Sequence, residues 1–483
     1  MNIRRLSLPT MLAFGIGQAA EGFKNQAFNV FLLFYYQQVV GIPGSLAGLA
    51  LAIALIFDAV SDPAAGVISD RFKSRWGRRH PFMFFSAFPL VMTFVALFNP
   101  PSELSQTLSF CWLTTFAVLV RGSLTFFYVP HLSLGADMAR DYHQRSTLFA
   151  LSSVFAITAM AVVSFVGYRY FFPTTELYSP GTLNPDAYST FSMTFAAAMF
   201  LVIMVCCFGT AREIPHLRQS NSVRPFTTEN IIGDFVAVFK NRSFRLIFFG
   251  MLLTTFTIAI EAVFNPFMGV HFWGLPTETL AFVSLGTLVG LWIGLPLAPI
   301  ITRRFDKKKA LVIPAIFVMV NANAALVLRL LDVDWFPDND SPWIFWIYFS
   351  RYLLQAICLP VILASFNSMF ADIADEVELE TGERHEGVIF SARSFANKTA
   401  GALGAIVGGI ALDVIQFPSG AVAGTVNPDV IWWLGVIEGP ATTLLSFCGI
   451  LFYLRYRIDG KRHAEIVREI AALRGGDLSN TTP

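Results

Sequence analysis

The stretch FDAVSDPAAGVISDRFKSRWGRRHP, residues 57–81, decides the fold class of this chain. It places Asp58 and Asp62 in an otherwise apolar helical run and then ends that run in a cluster of basic residues. Residues four apart share one face of a helix, and a carboxylate at bilayer depth costs at least about 2.5 kcal/mol unless it faces a partner or water. The stretch therefore predicts a membrane helix that carries a functional acidic pair.

The composition extends this interpretation to the whole chain. Of its 483 residues, 55% are hydrophobic and 14% are charged, whereas soluble domains are about 25% charged. A window of about 19 residues predicts an all-α membrane protein with twelve helices, each able to cross about 30 Å of hydrocarbon. The predicted helices are 11–38, 47–70, 81–99, 107–136, 147–171, 188–209, 244–270, 278–301, 309–331, 342–370, 386–415 and 430–455.

Basic residues predict the orientation of these helices. They concentrate after helices 2, 4, 6, 8 and 10 and in the C-terminal tail. Because cytoplasmic loops are enriched in Lys and Arg, both termini are expected in the cytoplasm. The first apolar segment contains Glu21 and Lys24 and lacks a small-residue cleavage pattern, so we expect it to be a retained membrane helix and not a signal peptide.

The chain divides into two similar halves. The longest polar stretch on the predicted cytoplasmic side, 211–241, separates six helices from six, and similar charged turns follow helix 2 (SDRFKSRWGRR) and helix 8 (ITRRFDKKK). Repeated six-helix units predict two bundles around a central pathway, with a substrate site near the bilayer midplane. The predicted parts are an N-terminal bundle (1–210), a cytoplasmic linker (211–243), a C-terminal bundle (244–456) and a cytoplasmic tail (457–483).

Five motifs follow one another along the chain. They are FYYQQVVG (34–41), FDAVSDPAAG (57–66), SDRFKSRWGRRHPF (69–82), YVPHLSL (128–134) and ADIADEVELETGERHEGVIFSARSFANKTAGALG (371–404). These motifs resemble the glycoside, pentoside and hexuronide cation symporters, the melibiose-permease branch of the major facilitator superfamily. The resemblance implies the twelve-helix, two-bundle fold, a bacterial inner-membrane location and a monomer.

The resemblance also implies a cation site. The family's helix-2 acids match Asp58 and Asp62, and its nearby helix-11 lysine matches Lys398. An asparagine of the melibiose permease is Ser61 here, and a further acid on helix 4 is Tyr128, so one formal charge is missing. Carboxylate and hydroxyl oxygens are hard ligands that suit an alkali cation, with Lys398 neutralising the acids when no cation is bound.

The identity of the coupling ion stays open at this stage. A close pair of acids in a low dielectric also favours holding a proton, so sodium and proton are both compatible with Asp58 and Asp62. The alternative is that Asp58, Asp62 and Lys398 only tie the two bundles together. No cofactor is expected beyond the coupling ion.

The substrate-binding candidates lie on helices 1 and 4. Glu21, Lys24 and Asn25 form a stripe at helical spacing that is able to hydrogen-bond a hydroxylated solute, or to close on itself as a local ion pair between Glu21 and Lys24. Tyr128 and His131 flank a proline that frees a backbone carbonyl, although His131 also fits a packing role. These five residues are the predicted substrate site.

Two positions of the family's sugar site differ in this chain. By the resemblance, the sugar-binding acid of helix 1 falls at Gly22, beside Glu21, and the sugar-binding arginine of helix 5 falls at Ser153. Both departures weigh against galactoside recognition. The resemblance therefore leaves the substrate unidentified.

The basic loop after helix 2 has two compatible interpretations. It is a topogenic signal by its charge, and its resemblance to the conserved loop of the superfamily implies a conformational latch. The latch residues are Asp70, Arg71, Arg75, Arg78 and Arg79. Four other charges within the predicted helices have no assigned role: Arg121, Glu261, Arg351 and Arg393.

No motif argues for an enzyme. The sequence lacks GxxxxGK, HExxH and paired CxxC patterns, and nothing indicates a nucleic-acid partner. We expect a secondary transporter that uses a sodium or proton gradient to import a sugar-like solute by alternating access. The alternatives are a cation-coupled carrier of lysolipids or other amphiphiles, and a membrane sensor or scaffold that does not transport.

Overall fold

The computed structural model describes residues 6–72, 74–139, 141–216, 235–236, 238–383 and 385–479. These residues form helices joined by short loops and contain no β-strand. Eleven of the described helices are long and apolar enough to cross a membrane. The twelfth membrane segment is the first one along the chain, and the twelve form two six-helix bundles.

The N-terminal half contains segments α1 to α6. Side chains of Ser105, Asp141 and Asn184 accept hydrogen bonds from backbone N–H groups at the starts of α4, α5 and α6, which satisfies donors that a helix leaves unpaired. The segments are α1 (Leu8–Gly17, Ala19–Gln26, Ala27–Leu32 and Tyr35–Val40), α2 (Gly44–Arg71), α3 (His80–Leu97), α4 (Gln106–Met138), α5 (Tyr142–Val166, continued by Gly167–Phe171) and α6 (Pro185–Thr210).

The C-terminal half contains segments α7 to α12, followed by a helix in the tail, α13. Asn241 and Asp306 cap the starts of α7 and α9 in the same way. The segments are α7 (Arg242–Phe267, continued by Met268–Phe272), α8 (Thr277–Arg304), α9 (Lys307–Leu330), α10 (Trp343–Thr381), α11 (Glu386–Val414), α12 (Pro428–Val436, Ile437–Ala441 and Thr442–Leu454) and α13 (Gly460–Ser479).

Helix α1 is the most interrupted span, with four short pieces against three in α12. Its longest piece has 10 residues, and two of its pieces have π-helical hydrogen bonding, beginning at Ala27 and Tyr35. π-Helical turns occur frequently at functional sites. The polar residues Glu21, Lys24 and Asn25 lie in the second piece, so the irregular segment is also the most polar part of the span.

The predicted twelve-helix fold is confirmed, and α10 is the main departure from the predicted bounds. It continues to Thr381, beyond the predicted end at residue 370, and stops at Gly382, whose φ of 76° is left-handed. The extension is amphipathic: Asp372 is buried, whereas Glu380 is exposed. A hydropathy window does not detect this extension because its composition is no longer apolar. The backbone hydrogen bonds of the helix nevertheless continue beyond the membrane-spanning part. The predicted linker, 211–243, lies largely outside the described residues.

Helices α2 and α11 form the closest contact between the two halves. A Cβ atom built on Gly48 would lie 2.1 Å from the carbonyl oxygen of Ala405, and one on Gly409 would lie 2.1 Å from that of Gly44. Asp413 on α11 accepts hydrogen bonds from the backbone N–H groups of Gly44 at 2.7 Å and Ser45 at 2.9 Å. Small residues allow this approach, and Asp413 caps a helix of the opposite half.

The contacts between the halves define a closed face of the molecule. On the face that contains residues 41–43 and 415–427, Gln38 Nε2 donates to the Pro418 carbonyl at 2.8 Å. On the same face, Ala423 N donates to the Ser179 carbonyl at 2.8 Å. The opposite face contains residues 74–79, and we call it the arginine-rich face. Each ion pair between the helix ends on that face joins two residues of the same half.

We predict that Gly48→Ala destabilises the protein in detergent, whereas Gly66→Ala on the same helix does not. Alanine at either position gains about 1 kcal/mol of helix propensity. At Gly48 the new methyl group meets a backbone oxygen, and overpacking costs about 1–3 kcal/mol. At Gly66 the nearest atom is Val129 Cγ1 at 3.6 Å, an ordinary contact. Apparent Tm values of the two purified variants test the prediction. Equal values would show that α2 and α11 are not in close contact in the populated state.

Candidate functional site

The two acids of α2 lie side by side near the middle of the helix. The Thr125 hydroxyl on α4 lies between them, with Oγ1 at 3.3 Å from Asp58 Oδ1 and 3.0 Å from Asp62 Oδ1. The site therefore presents carboxylate and hydroxyl oxygens from two helices to one point. Oxygen donors of this kind are the ligands that hard cations prefer.

Each acid is paired with a different base. Arg121 Nη1 on α4 lies 2.6 Å from Asp58 Oδ2, and Lys398 Nζ on α11 lies 2.5 Å from Asp62 Oδ2. Lys398 Nζ also donates to the Asp58 carbonyl oxygen at 3.0 Å. The first pair lies within the N-terminal half. The second pair joins the two halves, because α2 and α11 belong to different bundles.

Exposure separates the two pairs further. The side chains of Arg121 and Asp58 are 10% and 16% exposed, whereas those of Lys398 and Asp62 are 22% and 30% exposed. Asp62 and Lys398 are therefore the more accessible pair, and Asp58 is the more buried of the two acids.

The other two predicted cation ligands have different positions. The Ser61 hydroxyl donates to the backbone carbonyl of Asp58 at 3.5 Å, so it turns toward the helix backbone. Tyr128 lies near Gln18, Glu21 and Asp62, which places it between the acid pair and α1. The structure thus brings Tyr128 to the acids, whereas Ser61 contributes no side-chain contact to them.

Sequence reasoning missed Thr125 and left Arg121 without a role. Together with Tyr128, these residues lie at positions i, i+4 and i+7 of α4, which places them on one helical face. A polar stripe at helical spacing in an apolar span is a detectable signal. The contact between this stripe and the α2 acids depends on how α4 packs against α2, which the sequence does not show.

The polar stripe of α1 continues this cluster. Lys24 is buried, and its ammonium donates to Asn25 Oδ1 at 2.6 Å. Glu21 accepts a hydrogen bond from the Gln18 amide. Lys24 is also close enough to Asp58 to interact with its charge. Glu21 and Lys24 are therefore each hydrogen-bonded to an amide side chain, and the stripe faces the ion site.

The cluster is electrically balanced as it stands. Its acids are Glu21, Asp58 and Asp62, and its bases are Lys24, Arg121 and Lys398. The Phe28 ring lies beneath two of these bases, with its centroid 5.8 Å from Lys24 Nζ and 5.2 Å from Arg121 Cζ. Cation–π contacts of this geometry stabilise a partly desolvated cation. We call these six charged residues the midplane cluster.

His131 lies apart from the midplane cluster. Its side chain is fully buried, stacks on Phe14 with ring centroids 4.1 Å apart, and lies 5.2 Å from the Phe127 ring. His131 Nε2 hydrogen-bonds the Phe14 carbonyl oxygen at 2.9 Å. These contacts pack α4 against α1. The structure does not bring His131 to the other predicted substrate-binding residues.

The predicted latch residues form a network within the N-terminal half. Arg79 Nη2 lies 3.3 Å from Asp70 Oδ1 and 3.1 Å from Asp137 Oδ2, and Arg78 Nη2 lies 2.7 Å from the same Asp137 oxygen. Asp137, near the end of α4, was not identified from the sequence. Arg71 and Arg75 are exposed on the arginine-rich face. Burial lowers the pKa of Arg79, which lies outside the spans, and Asp137 opposes that shift.

The C-terminal half has a comparable network on the same face. Lys307 Nζ lies 2.6 Å from Asp372 Oδ1, and His463 Nε2 of the tail helix lies 3.0 Å from Asp375 Oδ2. Arg393 donates to the Asn367 side chain. Asp372 and Asp375 are instead paired with Lys307 at the start of α9 and with His463 of the tail helix.

The comparisons with known proteins agree with this architecture. The family model of the MFS/sugar transport proteins matches residues 13–460. The chain is 26% identical over 476 residues to the glucuronide carrier protein homolog of Escherichia coli K12, covering 97% of this chain and 96% of that one. It is 22% identical to the putative glycoside/cation symporter YagG of the same strain, covering 96% of this chain and 95% of that one.

Solved structures show the same fold. A bacterial homolog of the human lysosomal transporter Spinster, in an inward-facing conformation, superposes with a TM-score of 0.67 at 13% identity, covering 95% of this chain and 97% of that one. The inward-open xylose transporter XylE of E. coli superposes with a TM-score of 0.62 at 14% identity, covering 96% and 98%. With the family match over most of its length, this chain belongs to the MFS/sugar transport protein family.

Proposed function

We propose that this protein is a symporter that couples a monovalent cation, sodium or proton, to the import of a sugar or glycoside-like solute. The observation that carries the proposal is the position of the Lys398 ammonium. It reaches from the C-terminal half into the acid pair of the N-terminal half, where a bound cation would lie. Two relatives support the same function: the glucuronide carrier protein homolog and the putative glycoside/cation symporter YagG.

The geometry supports competition between the cation and Lys398. A cation that binds Asp58, Asp62 and Thr125 takes the carboxylate that the ammonium now holds. The released ammonium is then free to donate to a solute held by the α1 stripe. Because an unpaired buried charge is costly, cation and solute stabilise one another, which is the thermodynamic content of coupling.

The net charge of the midplane cluster indicates which charge the solute carries. Three acids and three bases balance before any ion binds, so a bound cation adds one positive charge. A hydroxylated solute with a carboxylate would restore neutrality. A neutral glycoside would have to accept hydrogen bonds from the freed ammonium instead.

The contacts between the halves support an inward-facing state. Basic loops predict that the arginine-rich face is cytoplasmic, and the halves are joined on the opposite face by Gln38, Asp413 and their partners. We infer that the site opens to the cytoplasm here and to the outside in the alternate state. The proposed location is the bacterial inner membrane, with both termini cytoplasmic and one chain as the transport unit.

A thermal-shift screen tests the function directly. The purified protein is heated with sugars, glycosides, uronates and lysolipids, with and without sodium and at two pH values. A ligand that binds the folded state raises the Tm in proportion to RT ln(1 + [L]/Kd). We expect a sugar-like solute whose shift grows with sodium or with acid. A shift with lysolipids alone would replace the sugar assignment, and ion-independent shifts would contradict coupling.

We predict that Asp62→Asn abolishes cation-dependent uptake in proteoliposomes, with a loss of at least about tenfold, or about 1.4 kcal/mol. The amide keeps the shape of the side chain but removes the charge that holds the cation. Asp186→Asn, at an exposed helix start, is the matched control and keeps normal uptake. Unchanged uptake and ion dependence in Asp62→Asn would exclude this residue from the coupling site.

We predict that Lys398→Gln separates cation binding from transport. Without the competing ammonium, the sodium- or acid-induced rise in Tm is kept or increased. Net uptake falls because the empty site has lost the charge that neutralises Asp62 while the carrier returns. Lys398→Arg keeps the charge and should retain part of the uptake. Normal uptake and normal ion stimulation in Lys398→Gln would show that Lys398 has no linking role.

A further inference from the structure

A second group of charged side chains lies inside the C-terminal half. Arg351 Nη2 on α10 donates to Glu438 Oε1 on α12 at 2.8 Å, and these side chains are only 6% and 1% exposed. Glu261 on α7 is close enough to both for its charge to interact with them. We call these three residues the C-half triad. It shares no residue with the midplane cluster.

The triad lies deep in the bundle. At a rise of 1.5 Å per residue, its members are about 12 to 17 Å along their helices from the closed-face ends. Glu438 belongs to the π-helical piece Ile437–Ala441, and such pieces occur frequently at functional sites. Three helices that are separate in sequence therefore place charges at similar depth.

The triad has one more acid than base. Two carboxylates and one guanidinium leave a formal charge of –1, whereas the midplane cluster is balanced. Arg351 and Glu438 are buried and Glu261 is half-buried. A charge without a counter-charge in such a site is expensive, and in proteins such a group is generally neutralised. The excess charge therefore calls for one bound cation.

Unpaired atoms point to the same conclusion. Among the described residues, Glu438 Oε2 and Arg351 Nη1 are buried without a hydrogen-bond partner. Such unpaired buried groups are unfavourable. A proton bound by one carboxylate of the triad removes the excess charge.

The neighbours of the triad supply amides and hydroxyls but no second base. Tyr348 Oη lies 3.3 Å from Tyr352 Oη, and Asn265 Nδ2 donates to Tyr352 Oη at 2.8 Å. On α9, Asn321 Nδ2 donates to the Arg351 carbonyl at 2.9 Å. The described side chains around the triad therefore leave its charge uncompensated.

A cavity inside the C-terminal half is lined in part by Glu261. Its volume is about 170 Å³, and its polar side chains include Glu261, Asn323 and Thr443, with Arg393 and Asn397 on α11. A cavity of this size has room for water, and these side chains supply the polar partners that a water needs. Arg393 is no counter-charge for the triad, because it lies about 15 to 20 Å nearer the arginine-rich face by helix rise.

We propose that the C-half triad is a second ion-binding site and that it takes one proton, carried by Glu261. Water in the cavity delivers the proton to the Glu261 carboxylate, and Arg351 stays bound to Glu438. Protonation leaves the interior of the C-terminal half electrically neutral. The proposal does not depend on the cation site at Asp58 and Asp62. Different experiments test the two sites, so one site can be disproved without the other.

Infrared spectroscopy of the full-length protein in lipid nanodiscs tests the proposal across a pH titration. A protonated carboxyl group has a C=O stretching band that the carboxylate lacks. We expect a band in the wild type that disappears as the pH rises. Glu261→Gln removes that band, whereas Asp62→Asn, which changes the other site, retains it.

Glu438→Gln provides a second test if Glu261→Gln fails to fold. Removing the other carboxylate leaves Glu261 balanced by Arg351, so Glu261 loses its proton and the band is absent at the same pH. Persistence of the band in both variants, or its absence from the wild type, would overturn the proposal. A sodium-induced rise in Tm that is lost in Glu261→Gln but kept in Asp62→Asn would also overturn it, since the site would then hold an alkali ion.

Discussion

The ion pair between Lys398 and Asp62 is the contact on which the rest of the structure depends. It is the point at mid-depth where a charge of one half holds a charge of the other. These side chains are 22% and 30% exposed, so removing one partner leaves an uncompensated charge in a partly buried site, which is unfavourable. The halves therefore separate at this level only if another charge takes the place of the ammonium. A cation is the simplest replacement, so the constraint that holds the halves together also links their movement to ion binding.

The two halves treat buried charge differently. In the N-terminal half, Asp58 is ion-paired with Arg121 and hydrogen-bonded to Thr125, so its charge is balanced within that half. In the C-terminal half, Arg351 is ion-paired with Glu438 and also interacts with the charge of Glu261, so one base faces two acids. The two halves thus have similar folds but a different balance of buried acids and bases. This asymmetry is consistent with the two proposals: the N-terminal half holds the exchangeable cation, and the C-terminal half takes up a proton from water.

The closed face is held by features that permit movement. Gly48 and Gly409 let α2 and α11 meet through backbone atoms, and Asp413 caps a helix of the other half. Small residues give close packing at this contact without interlocked side chains. On the arginine-rich face, Asp137 and Asp372 pair within their own halves. Each half is therefore stiffened separately, which suits two bundles that rock against each other.

The sequence by itself determined the spans, because hydropathy is a local property and each helix satisfies its own backbone in lipid. It also indicated Asp58 and Asp62, since acids in an apolar helix are conspicuous, and the resemblance pointed to Lys398. Only the tertiary structure decided the partners. Lys398 and Asp62 are 336 positions apart, Thr125 reaches both acids from another helix, and His131 turns away toward Phe14. Helical periodicity gives the face of a side chain but not the helix that this face meets, because that depends on the packing of all twelve segments.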